Sequence, residues 1–346
     1  VNRGEFEILS VATGRPWNMR KLVLAVIVSS GLFTETAQAE NSVECVTAPI
    51  LLPLLGGQGD APLIPVTING KPAAMYVSPA FDYIYIRNSG DVQFPQADED
   101  ARVIINGTYQ ERAYHSKISE LVLDGVALKD VDAVLLERPT AQSVDGRPIV
   151  GVLGRAALSR LSVLIDIPKR KFAYLEFSRD AACKGAIDTF LGEESRSLYM
   201  DDDFTVHLRI GGKKRHISFN PDLTYTTFPS AWISSLKDSL SGLGEQKKFT
   251  HYDGFMSVGQ VATVRNMTMG GLSIEDEKVL FQDDVQIGSL GLPFFENKIV
   301  LWNLRENRMY FTLSNDQPPL LKGRNLHFFS THSGNVSVQN KRGDVE

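Results

Sequence analysis

Two short stretches place a small polar residue beside a proline at the end of an apolar run. Met75-Tyr76-Val77 leads into Ser78-Pro79-Ala80, and Ile217-Ser218-Phe219 leads into Asn220-Pro221-Asp222. Carboxylates follow closely, Asp82 after the first and Asp222 inside the second. Two carboxylates brought together could share and pass a proton, and a serine beside a base could act as a nucleophile. Ser78 alone has no useful pKa near neutrality, and Asn220 does not titrate. Asp222 has a second reading, in which it bonds an amide of its own turn, and Asp82 has one as a solvated carboxylate. Of the 6 histidines, only His115 and His216 fall in regular strand patterns. His216 alternates with Ile217 and Phe219, which turns it to solvent. Ser78 therefore lacks an evident base. The chain has no G-x-S-x-G, H-E-x-x-H, C-x-x-C or phosphate-loop motif. We expect no metal and no cofactor.

The elements that position these residues occur twice. Val66 to Ala80 reads as a strand, a turn at Gly70 and a second strand that ends at Ser78. Leu208 to Asp222 repeats that order around Gly212 and ends at Asn220. The spacing agrees, because 78 − 70 and 220 − 212 are both 8. A second pair follows. Val152-Leu153-Gly154 leads to a short helix and to Val163-Leu164-Ile165-Asp166, while Ser289-Leu290-Gly291 leads to a short helix and to Val300-Leu301-Trp302-Asn303. The offset is 137 throughout, as in 291 − 154. Leu123 to Val126 and Met269 to Leu272 read as matching hairpin turns. The pattern is that of an all-β chain of short strands.

The 346 residues are 43% hydrophobic and carry a formal net charge of −5, with Lys and Arg scattered. That leaves ample chain for a core and argues against nucleic-acid binding. Met19-Arg20-Lys21, an apolar run from Leu22 to Phe33 and Ala37-Gln38-Ala39 form the three parts of a signal peptide at about 19–39, cleaved after Ala39. The expected location is the periplasm or outside the cell, without stable membrane insertion. Two cysteines, Cys45 and Cys183, are expected to pair as a disulfide in an oxidising compartment. The expected layout is 1–39 upstream residues and signal peptide, 40–185 N-terminal lobe, 186–314 C-terminal lobe and 315–346 tail. Within it, 186–203 reads as the link between lobes. Oligomeric state is left open.

The residues around Ser78, Asn220 and the two Leu-Gly pairs resemble the pepsin-like and retropepsin-like aspartic proteases. The resemblance covers about residues 62–313. It implies a bilobal all-β fold, two related β-barrel-like lobes with a cleft between them. It also implies that the family's paired aspartates map to Ser78 and Asn220, with proline at both following positions. General acid–base catalysis is worth roughly 10²–10⁴ in rate, and these replacements remove both partners, so no catalytic residue is expected. The implied function is a secreted pseudoprotease that holds a peptide or protein partner in the cleft. Its contacts would come from Ser78, Asp82, Tyr109, Asn220, Asp222 and Thr224. Tyr109 is assigned to the tip of a hairpin flap, near Ile105 to Thr108. Two alternatives stand beside this reading: an endopeptidase that uses Asp222, Asp82 or both, and a structural envelope protein.

Overall fold

Among the described residues, four of the two-residue turns join the strands of the duplicated pattern and set the first level of structure. Asn69-Gly70, Asp124-Gly125, Gly211-Gly212 and Gly270-Gly271 all have positive φ at both residues. Such turns match the twist of antiparallel strands and so fix register. They join Leu63–Ile68 to Lys71–Val77, Tyr109–Leu123 to Val126–Leu136, Val206–Ile210 to Lys213–Phe219, and Met267–Met269 to Leu272–Ile274. The structure is a computed structural model that describes residues 45–57, 59–96, 100–105, 109–250, 256–283, 285–313, 324–330 and 336–342. Strands make up 52% and helices 11%, which places the chain in the all-β class.

The first half closes on itself. Leu63–Ile68, Lys71–Val77, Arg147–Leu153, Tyr85–Arg87, Val126–Leu136 and Tyr109–Leu123 follow one another, and the last pairs back with the first. That is a six-stranded barrel, with Asp100–Ile105 added outside Tyr109–Leu123. The second half repeats the central connections in a curled sheet that stays open. Lys213–Phe219 runs parallel to Gly288–Leu290, as Lys71–Val77 runs parallel to Arg147–Leu153. Thr226–Pro229 runs parallel to Glu277–Gln282, as Tyr85–Arg87 runs parallel to Val126–Leu136.

A six-stranded antiparallel sheet joins the two halves, in the order Val46–Pro53, Lys171–Phe177, Ser162–Asp166, Lys298–Asn303, Arg308–Leu313, Arg196–Tyr199. Its centre shows the duplication directly. Leu164 pairs with Leu301, Val163 with Trp302 and Ile165 with Val300. Because 301 − 164 is 137, the repeat offset found in the sequence, equivalent residues meet across a local pseudo-twofold axis. Side chains alternate faces along a strand. Val163, Ile165, Phe172, Val300, Trp302 and Phe311 accordingly enter a large core shared by both halves. Ala173, Leu175, Leu301 and Tyr310 form a smaller cluster.

Cys45 and Cys183 are joined as a disulfide, with their Cα atoms 5.3 Å apart. Among the described residues no helix is long and apolar enough to cross a membrane. Residues 1–39, which hold the signal-peptide reading, lie outside the described residues. The segment 186–203 is more than a link, since it contains a helical turn at Ala186–Thr189 and the strand Arg196–Tyr199 at the edge of the joining sheet. Within 315–346, Arg324–Ser330 and Val336–Arg342 pair as a two-stranded sheet.

Candidate functional site

The parallel pairings of Lys71–Val77 with Arg147–Leu153 and of Lys213–Phe219 with Gly288–Leu290 each end in a loop held in the same way. The amide of Ser78 donates to the carbonyl of Leu153 at 3.2 Å, and that of Asn220 to Leu290 at 2.9 Å. The amide of Arg155 donates to Phe81 and that of Leu292 to Leu223, both at 2.8 Å. The two Leu-Gly pairs have a steric origin. A Cβ on Gly154 would stand 2.2 Å from the carbonyl oxygen of Tyr83, and one on Gly291 would stand 2.4 Å from that of Tyr225. No side chain fits at either crossing, whatever the backbone angles.

These loops bring Ser78 and Asn220 into contact across 142 positions. Ser78 is fully buried, and its hydroxyl donates to Oδ1 of Asn220 at 3.0 Å. The same hydroxyl lies within hydrogen-bonding reach of Asp222. Asp222 is half-buried as a residue, but its Oδ1 is closed off from solvent and has no hydrogen-bond partner. Burial pushes its carboxyl up to about 6, opposed in part by the Ser78 hydroxyl and by its own amide. Ser78 has one proton to give, and the Asn220 side chain can present either its oxygen or its NH₂. With the NH₂ turned toward Ser78, the hydroxyl is free to donate to Asp222 instead of to Asn220.

Asp82 does not join this group. Its exposed carboxylate is ion-paired with Arg155. The other end of that guanidinium donates to the carbonyl of Pro79 at 2.8 Å and lies 4.5 Å over the ring of Phe204. Asp82 and Arg155 line a cavity of about 260 Å³ together with Pro79, Phe204, Phe219 and Ser289. Ser78, Asn220 and Asp222 are not among its walls. The cavity falls just below the usual size of a small-molecule site, which suits one side chain or a small polar group. Both duplicated halves contribute to it.

Thr224 is half-buried two residues beyond Asp222. Tyr109 opens a strand that pairs back to Asp100–Ile105, with Ile105 opposite Tyr109. The expected hairpin is therefore present in the backbone, while the Tyr109 side chain and residues 106–108 lie outside the described residues. Sequence reasoning missed the Asp82–Arg155 pair, since nothing local marks two residues 73 positions apart. It also missed Asp201, His207 and His216, whose metal-binding atoms lie within 4.8 Å of one another. Asp201 lies within 186–203, the segment read as the link between lobes, and His207 stands one residue before Leu208, where the repeated stretch begins. No family model matches the chain, and no curated protein does either.

Proposed function

We propose that the chain is a non-catalytic protein of the pepsin-like aspartic protease fold, with lobes at 40–185 and 186–314, that binds an extended peptide or protein segment between them. The observation that carries this reading is the contact of Ser78 with Asn220. Two equivalent loops meet there in equivalent backbone geometry, but the meeting groups are a hydroxyl and an amide. One carboxyl, Asp222, stands beside them with a buried oxygen. Proton sharing between two acids needs a second one, and Asp82 is held by Arg155. A cleft without chemistry can still hold an extended segment through main-chain hydrogen bonds and side-chain pockets. The cavity at Asp82 and Arg155 would accept one polar side chain of such a segment. A periplasmic or extracellular setting accords with the disulfide.

A peptide library incubated with the full chain from acid to neutral pH tests this. Peptides are expected to be retained intact. Asp82→Arg, which breaks the pair with Arg155, is expected to weaken retention about tenfold, equal to about 1.4 kcal/mol. Cleavage at acid pH that Asp222→Asn abolishes would overturn the reading in favour of an endopeptidase built on Asp222, whose raised pKa suits an acid.

A further inference from the structure

We propose that Asp201, His207 and His216 form a surface binding site for a divalent transition metal of the zinc class. The two histidines are directly opposite each other on Val206–Ile210 and Lys213–Phe219. Their rings lie 4.2 Å apart, nearly perpendicular. Asp201 is set against them by a tight turn, in which its amide donates to Thr205 and its carbonyl accepts from Phe204, both at 2.8 Å.

One oxygen of Asp201 faces both rings, 3.8 Å from Nε2 of His207 and 3.7 Å from Nδ1 of His216. These gaps are too long for hydrogen bonds. A tetrahedral ion with bonds of about 2.0–2.1 Å sets its ligand atoms about 3.3–3.4 Å apart. The two gaps to Asp201 therefore need to close by only a few tenths of an ångström around an ion, and the two ring nitrogens already lie within 4.8 Å of each other. Two imidazoles and one carboxylate form a donor set suited to zinc, and exposure of Asp201 and His216 leaves the remaining position to water.

Burial, followed by the charges of Lys214 and His216, lowers the pKa of His207, with Asp201 opposing. Ligation through Nε2 leaves the ring proton on Nδ1, which is buried with no partner among the described residues. The neighbouring Asp203 is already committed to the amide and hydroxyl of Thr205, at 3.2 and 2.7 Å.

The test is titration of the chelator-stripped full chain with Zn²⁺ alone, followed by Co²⁺ absorption to report coordination. One ion per chain is expected, with a four-coordinate Co²⁺ spectrum. His216→Gln and Asp201→Asn, both at exposed positions, are each expected to weaken binding at least about tenfold. His115→Gln controls for adventitious binding, because His115 lies 3.6 Å from Asp132 elsewhere on the chain and its removal should change nothing. Unchanged near-ultraviolet dichroism confirms that the variants are folded. Absence of binding at about 100 µM Zn²⁺, or equal losses in His115→Gln and His216→Gln, would overturn the site. The outcome is independent of whether the chain binds peptides.

Discussion

Replacing both Cys45 and Cys183 with alanine is expected to lower the unfolding free energy by about 4–5 kcal/mol. The bond closes a loop of 138 positions, and the chain-entropy cost that it removes from the unfolded state grows with the logarithm of that length. The native side should change little. Val46–Pro53 stays paired with Lys171–Phe177 through backbone hydrogen bonds, and the Ser178 amide donates to the Cys45 carbonyl at 2.9 Å. Ile50 and Leu52 on that strand remain in the core. The loss would take a large share of a total stability of about 5–15 kcal/mol. Urea unfolding with and without reductant checks it. Reductant should bring the natural chain down to the variant and leave the variant unmoved. A natural chain indifferent to reductant would show that the bond does not form or contributes nothing.

The duplication was legible because it rests on steric and turn rules that act locally. Gly154 and Gly291 recur because a Cβ would strike a carbonyl at both crossings. The four turns recur because only certain residues accept positive φ. The constant offset of 137 then reappears as the pairing of Leu164 with Leu301, which no local pattern dictates. What escaped was set by tertiary contact. Arg196–Tyr199 contributes a single buried residue, Leu198, too short an alternation to mark as a strand of the joining sheet. Arg155 looked like one residue of a short helix, yet it ties Asp82 to Pro79. The histidine pair depends on cross-strand register, and the fate of Asp222 depends on a burial that composition does not reveal.

Asp222→Asn is expected to stabilise the protein above pH 7 by about 3 kcal/mol and to flatten its stability profile between about pH 4 and 6. The carboxyl rises from 3.8 to about 6 on folding, chiefly through burial, and that rise is worth about 3 kcal/mol at about 1.4 kcal/mol per pH unit. A carboxyl whose folded pKa is raised favours folding below its unfolded value. The advantage is fully present below about 3.8 and is lost as pH climbs through about 6, where folding must hold a charge whose Oδ1 lacks a partner. Asparagine carries no charge to lose, and its NH₂ can donate toward Ser78. Glu277 behaves in the same direction but in a higher window, pushed up to about 7 mainly by burial, so a residual decline between about 4.5 and 7 should survive in the variant. Denaturant unfolding at intervals from pH 4 to 8 measures both. If natural chain and variant kept the same separation at every pH, Asp222 would be a solvated turn carboxylate rather than a buried acid beside Ser78. The same measurement bears on function, because a lone carboxyl that titrates near 6 has no acid partner to split its pKa. A second ionisation that disappeared with it would be the signature of a shared proton.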